Sequence, residues 1–100
     1  MSVSLVTFRK GGTRDAVATA TKALKAALEK HGAESVTLSH VTAGPDAGQW
    51  VIRIMCANWE DFGKAMQAGS GDPSVHAAVA KLDSVTEMVS RRMISTVDLS

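Results

Sequence analysis

The sequence predicts an α+β fold in which helices cover one face of an antiparallel sheet. Some segments carry apolar residues at the 3.6-residue spacing of helices, and others follow the patterns of strands. These segments succeed one another as strand, helix, strand, strand, helix, strand, and such a sheet buries one face under its helices. The chain has 100 residues, so residues 1–100 are predicted to form one domain.

The first strand and the first helix have clear boundaries. Val3–Phe8 is rich in β-branched residues and predicts a strand, which two glycines end. Thr13 is a suitable N-cap for a helix over Asp15–His31, because the apolar residues of that segment recur on one helical face. Gly32 is suited to end this helix, since glycine adopts left-handed backbone conformations without steric cost.

Two strands joined by a short loop follow and predict an antiparallel hairpin. Val36–Thr42 alternates in polarity, the segment AGPDAGQ is a loop, and Trp50–Ala57 is the next strand. One face of that strand is continuously apolar and is assigned to the core: Trp50, Ile52, Ile54 and Cys56. The opposite face mixes apolar residues with a charge: Val51, Arg53 and Met55.

The second half predicts a helix, a short extra helix and a last strand. Asn58 can cap a helix that begins at Trp59 or Glu60. Asp72 and Pro73 introduce a short helix over residues 74–82, and Ser90–Leu99 predicts the final strand. The segment 84–88 stays ambiguous. The resulting βαββαβ order is that of a ferredoxin-like domain.

Composition excludes several function classes. The formal net charge of +1 gives no support for a nucleic-acid or membrane partner, and no segment predicts a membrane span or a secretion signal. Cys56 is the one cysteine, so no intramolecular disulfide forms. The three histidines lack metal-ligand spacing, and neither a metal nor a cofactor is predicted. These features favour a cytoplasmic protein.

The mixed face of the third strand predicts that the sheet meets a second sheet or lines a cavity. In this order of elements the chain resembles the dimeric α/β-barrel superfamily. The resemblance is nearest to its antibiotic-biosynthesis-monooxygenase-like and NIPSNAP-like branches, through WVIRIMCANWEDFGKAMQ and the later DPSVHAAVAKL. It implies a homodimeric α/β barrel in which the sheets of two copies face each other.

The resemblance also implies site residues. Some monooxygenases of this branch oxidise polycyclic aromatics without metal or flavin, using an Asn and a Trp at the strand-to-helix junction, with Arg and Tyr elsewhere. Asn58 and Trp59 match the pair, and Arg91 or Arg92 matches the Arg of the last strand, but the chain contains no Tyr. Haem-degrading relatives use an Asn, a Trp and a His, for which His76 is the right type.

Five residues are the candidates for a small-molecule site. Arg53 would bind an anionic group or instead form an ion pair across the dimer interface. His40 would accept a proton, or only pack at the sheet edge. Met55 and Trp59 would form the wall, although Trp59 is also suited to plug the core. Asn58 would face a ligand or only cap its helix.

Three functions therefore remain open. The first is a cofactor-independent monooxygenase-like enzyme that acts on an apolar or aromatic molecule. The second is a non-catalytic small-molecule-binding or stress-related dimer with the same cavity. The third is a structural homodimer whose facing sheets are packed shut. An open cavity with both an anchor and a base distinguishes the first from the others.

Overall fold

The computed structural model describes residues 2–99 and has the predicted α+β architecture. Its elements are β1 (Val3–Lys10), α1 (Arg14–Glu29), β2 (Ser35–His40), β3 (Trp50–Cys56), α2 (Trp59–Ser70), α3 (Pro73–Val85) and β4 (Glu87–Ser95). The ferredoxin-like prediction is confirmed, including the extra helix before the last strand. Within these residues no helix is long and apolar enough to cross a membrane.

The four strands form one antiparallel sheet in the order β2-β3-β1-β4. β2 and β3 form the predicted hairpin, with Val36 opposite Ile54. The predicted bounds of the last strand, Ser90–Leu99, are wrong. β4 begins at Glu87 because that residue already pairs with Lys10, and it ends at Ser95, which pairs with Val3 at the start of β1.

The helices cover one face of the sheet, called here the helix side. The core lies there and combines residues of all three helices with the predicted apolar face of β3: Val17, Leu24, Leu28, Ile52, Ile54, Cys56, Ala65, Ala78 and Leu82. Trp50 lies at the margin of this core, and its indole Nε1 donates a 2.9 Å hydrogen bond to the Gly11 carbonyl. The other face, called here the open side, is covered by none of the helices of residues 2–99.

Each predicted helix N-cap is present. The Thr13 hydroxyl accepts a hydrogen bond from the Ala16 amide at 3.2 Å, and Asn58 Oδ1 accepts one from the Asp61 amide at 2.8 Å. Asp72 Oδ1 accepts from Ser74 at 2.8 Å and begins α3. These side chains satisfy amides that have no partner inside the helix, which fixes where each helix starts.

Asp72 also links the end of α1 to the start of α3. Its Oδ2 lies 2.6 Å from His31 Nε2 and 3.3 Å from Lys30 Nζ. The hydrogen bond with His31, the Ser74 amide and the Lys30 charge together hold the pKa of Asp72 well below its usual range. This carboxylate therefore joins two helices that lie side by side on the sheet.

Gly12 lies in the turn between β1 and α1, where it packs against the end of α3. Its φ is +76°, in the left-handed region, and a Cβ placed there would lie 2.6 Å from the Val85 carbonyl oxygen. A side chain at this position is therefore excluded both by backbone conformation and by contact. The neighbouring Gly11 shares the conformation, at φ +89°, but its Cβ would come no closer than 3.9 Å to Val85.

Candidate functional site

A cavity of about 240 Å³ lies on the helix side, between the sheet and the three helices, and opens to solvent. Most of its wall is apolar and comes from both layers: Leu5, Leu24, Leu28, Ile52, Ile54, Met66, Val75 and Val79. Gly69 contributes to the space, because a Cβ there would contact Leu28 at 3.4 Å and Val75 at 3.7 Å. The cavity thus results from incomplete filling between α2, α3 and the sheet.

One part of the wall is polar and belongs to β1. Thr7 and Arg9 share the helix side with Val3 and Leu5, because alternate residues of a strand point to the same face. Arg9 is only 3% exposed. Its Nη1 donates to Asp83 Oδ1 at 2.7 Å and to the Thr86 hydroxyl at 3.4 Å. The guanidinium is therefore anchored to the C-terminal end of α3, and Arg9 also lines the cavity.

Arg91 and His76 lie at the solvent end of this cavity. Both side chains are exposed, and they come from β4 and α3 respectively. His76 Nε2 lies 2.5 Å from the Ser70 carbonyl oxygen. Because a carbonyl only accepts, Nε2 carries the hydrogen, and Nδ1 is the acceptor atom when the ring is neutral. The mouth of the cavity thus holds one cation and one potential proton acceptor.

Arg53 and Met55, two of the predicted site residues, lie on the open side. Arg53 and Met55 are half-buried, and Arg53 Nε donates to the hydroxyl of the fully buried Ser4 at 2.9 Å. Arg53 makes no ion pair with a carboxylate of residues 2–99. The pair is therefore separated from the helix-side cavity by the sheet itself.

Asn58 and Trp59 lie at the junction of β3 and α2. Asn58 is exposed and acts as the cap described above, as the residue type indicates. Trp59 is 54% exposed and packs edge-on against Phe62, with 6.2 Å between ring centroids. The interpretation of Trp59 as a core plug is wrong, because the first turn of α2 carries its indole to the surface of the chain.

His40 lies at the end of β2, exposed and on the helix side. Its ring is 4.5 Å from the Trp50 ring, and the two residues pair across the hairpin. Together with Arg14 they line a separate, solvent-open pocket of about 400 Å³ at the sheet edge. His40 and Arg53 therefore lie on opposite faces of the sheet, and one chain does not bring them together.

The sequence prediction missed Thr7 and Arg9 as cavity residues. The sequence predicts that the first strand ends at Phe8, which leaves Arg9 outside the strand and on neither face. Alternation alone carries the signal, because it places residues 3, 5, 7 and 9 of β1 on the same side. What alternation does not give is the space above them, which depends on how α2 and α3 pack.

Chemically, the cavity combines an apolar wall with convergent polar groups, the usual make-up of a small-molecule site. No carboxylate of residues 2–99 lines it, and none of their His, Cys, Asp and Glu side chains cluster in threes as a metal site would require. The arrangement is suited to hold an apolar body and to orient one polar or anionic group.

Comparisons with known proteins identify the fold. No protein-family model and no curated protein sequence matches the chain. SnoaB from Streptomyces nogalater, a cofactor-independent oxygenase, is 13% identical, with 97% of this chain and 94% of that chain covered and a TM-score of 0.72. Atu4242 from Agrobacterium tumefaciens is 15% identical, with 100% and 97% covered and a TM-score of 0.72.

A candidate antibiotic biosynthesis monooxygenase from Chloroflexus aurantiacus is 16% identical, with 98% and 95% covered and a TM-score of 0.65. The chain therefore has the ferredoxin-like fold of antibiotic-biosynthesis-monooxygenase-like proteins, as the sequence resemblance predicted. At identities this low, the structural similarity establishes the fold only. The chemistry has to be inferred from the residues of the site. The NIPSNAP-like branch stays a prediction.

Proposed function

We propose that this protein binds a small apolar or aromatic molecule in the helix-side cavity and acts on it as a cofactor-independent, monooxygenase-like enzyme. The observation that carries the proposal is the cavity itself, with its apolar wall and with polar groups converging from β1, α3 and β4. A packed core of the same fold would need neither an opening to solvent nor unfilled space.

The cavity limits the size of the ligand. Its volume of about 240 Å³ lies below the roughly 300–1,000 Å³ typical of ligand pockets. One or two fused rings suit this space better than the polycyclic aromatics implied by the family resemblance. The proposed substrate is therefore a one- or two-ring compound.

Oxygenation without a cofactor requires a substrate that itself supplies electrons to dioxygen once it is deprotonated. His76 is the proposed proton acceptor, through Nδ1, because its Nε2 already donates to the Ser70 carbonyl. With 1,3-dihydroxynaphthalene, one oxygen atom of dioxygen would be added at ring carbon C4 to give 2-hydroxy-1,4-naphthoquinone. The other oxygen atom would leave as water.

Oxygen uptake with 1,3-dihydroxynaphthalene tests the catalytic proposal, with the coloured quinone followed in the same cell. We expect uptake in the presence of a metal chelator, and a His76→Gln variant about 100-fold slower, the typical loss when a general base is removed. Binding without uptake above the uncatalysed rate would favour the alternative, a non-catalytic small-molecule-binding protein.

A filled cavity tests the location of the site. Val79→Phe places an aromatic ring in the cavity wall and should abolish binding of 1,3-dihydroxynaphthalene. Ala77→Phe places the same ring on the exposed face of α3 and is the matched control. Equal binding by both variants would show that the ligand lies elsewhere.

The open side supports a second proposal, a homodimer whose sheets face each other and whose interior includes Arg53 and Met55. Half-buried apolar residues cover much of this face, and Ile94 beside them is 41% exposed. Light scattering on wild type and Arg53→Ala is the test. A dimer that dissociates on substitution supports an interface ion pair, whereas an intact dimer with lost ligand binding supports a second site. A monomeric wild type rules out the dimer.

A further inference from the structure

Two arginines approach the same part of the helix-side cavity. Arg9 and Arg91 come from neighbouring strands and both line it, because Arg91 pairs with Thr7, two residues before Arg9. Within residues 2–99, the one carboxylate that forms an ion pair with either arginine is Asp83, which binds Arg9 Nη1 and is itself 60% exposed. Two positive charges against one negative charge leave this end of the cavity with one uncompensated positive charge.

Several donors at this end of the cavity make no hydrogen bond to any of residues 2–99. Arg9 is 97% removed from solvent, yet only its Nη1 makes a hydrogen bond, so Nε and Nη2 have no partner among residues 2–99. The Thr7 hydroxyl, 7% exposed, likewise bonds to no other described residue. Among the described residues, Gln49 Oε1 is the only fully buried side-chain polar atom without a hydrogen-bond partner. The unpartnered donors of Arg9 and Thr7 are therefore not sealed inside the protein, and both residues line the cavity, where a ligand can accept from them.

We infer that Thr7, Arg9 and Arg91 form a subsite for a single carboxylate, which makes the ligand a small aromatic or apolar acid. The planar guanidinium groups of Arg9 and Arg91 match the geometry of a carboxylate, and the Thr7 hydroxyl supplies a further hydrogen-bond donor. One negative charge on the ligand balances the excess positive charge. The inference rests on the proposed function, since the body of the acid would occupy the apolar part of the cavity.

The matched pair 1-naphthoate and 1-naphthamide tests the subsite by calorimetric titration of the full chain. The two probes share one ring system and differ in charge. Charge-assisted hydrogen bonds are about twice as strong as neutral ones, so we expect naphthoate to bind about tenfold more tightly than naphthamide.

Adjacent residues of β4 supply the variants. Arg91→Gln should weaken naphthoate binding about tenfold and change naphthamide binding less than about twofold. Arg92→Gln removes an equal charge from the opposite face, where that guanidinium lies 5.2 Å from the Phe8 ring centroid, and should change neither affinity. Thr7→Val keeps the shape, removes the hydroxyl and should weaken naphthoate about threefold.

The outcomes separate the two proposals. Equal affinity for both probes, or equal losses in Arg91→Gln and Arg92→Gln, would overturn the carboxylate subsite and leave the apolar cavity standing. Failure of both probes to bind, at concentrations up to their solubility, would overturn the cavity proposal and the subsite with it. Selective loss of naphthoate in Arg91→Gln alone would establish the subsite.

Discussion

The two faces of the sheet are built from alternating residues of the same strands, yet they differ in what covers them. On β3, Ile52 and Ile54 are 2% and 7% exposed beneath the helices, whereas Val51, Arg53 and Met55 stay half-buried on the open side. On β4, Arg91 lines the cavity and Arg92 lies over Phe8. Adjacent residues of the same chemical type therefore lie in different environments. Substituting adjacent residues one at a time tests the contribution of each face separately.

The largest expected difference between the faces comes from truncating the neighbours Ile54 and Met55. Ile54→Ala should lower the free energy of unfolding by about 3 kcal/mol, because it leaves a hole in the core. Met55→Ala removes a similar volume from the half-exposed face and should cost about 1 kcal/mol. Urea unfolding at several protein concentrations measures both values.

The concentration series also sharpens the comparison. A loss for Met55→Ala that grows with protein concentration would indicate that a second copy covers the open side. Equal, concentration-independent losses in the two variants would contradict the difference between the faces.

A difference of similar size is expected at the turn that joins β1 to the helix layer. Gly12→Ala forces alanine into the left-handed conformation and brings its Cβ against the Val85 carbonyl oxygen. It should lower the free energy of unfolding by about 3 kcal/mol. Gly11→Ala forces alanine into the left-handed conformation without a close contact and should lower the free energy of unfolding by about 1 kcal/mol. Thermal unfolding of the two variants side by side tests this, and equal losses would show that the contact at Gly12 relaxes freely.

The smallest effect concerns the acid dependence of the helix layer. The pKa of Asp72 is lowered in the folded chain, first by His31 and then by the Ser74 amide and Lys30. Its contribution to stability is therefore present above the unfolded pKa of about 4 and is lost as the pH falls toward the folded value. Asp72→Asn keeps a good N-cap but should be less stable at neutral pH and lose stability less steeply in acid.

A pH series of thermal unfolding checks the Asp72 prediction. Asp46→Asn removes an acid that has no ion pair or side-chain hydrogen bond within residues 2–99, and it should keep the steeper wild-type dependence. Parallel curves for wild type and Asp72→Asn would contradict the role given to this carboxylate.

Much of the fold follows from local sequence chemistry. The hairpin, the caps at Thr13, Asn58 and Asp72, and the core face of β3 were all predicted, because alternation and side-chain acceptors act over a few residues. The last strand was placed too late, since its bounds depend on pairing with β1, which lies more than 75 residues earlier in the chain.

The candidate site was less predictable. Residue types indicated Arg53 as the anion-binding arginine, and it lies on the open side. The family resemblance pointed to the last strand but did not decide between the adjacent Arg91 and Arg92. The depth of Arg9 and the exposure of Trp59 depend on how α2 and α3 pack over the sheet. Tertiary packing of this kind leaves no periodic pattern in the sequence.

Cys56 lies fully buried at the end of β3, and burial, with smaller contributions from Asp61 and Glu34, raises the pKa of its thiol. A thiol reagent can therefore react only with molecules that have transiently opened, and the labelling rate measures how often that happens. A compound that binds only the closed chain should slow this labelling by a factor of one plus its concentration divided by its Kd. The rate of Cys56 labelling can therefore be used to screen ligands without a catalytic assay.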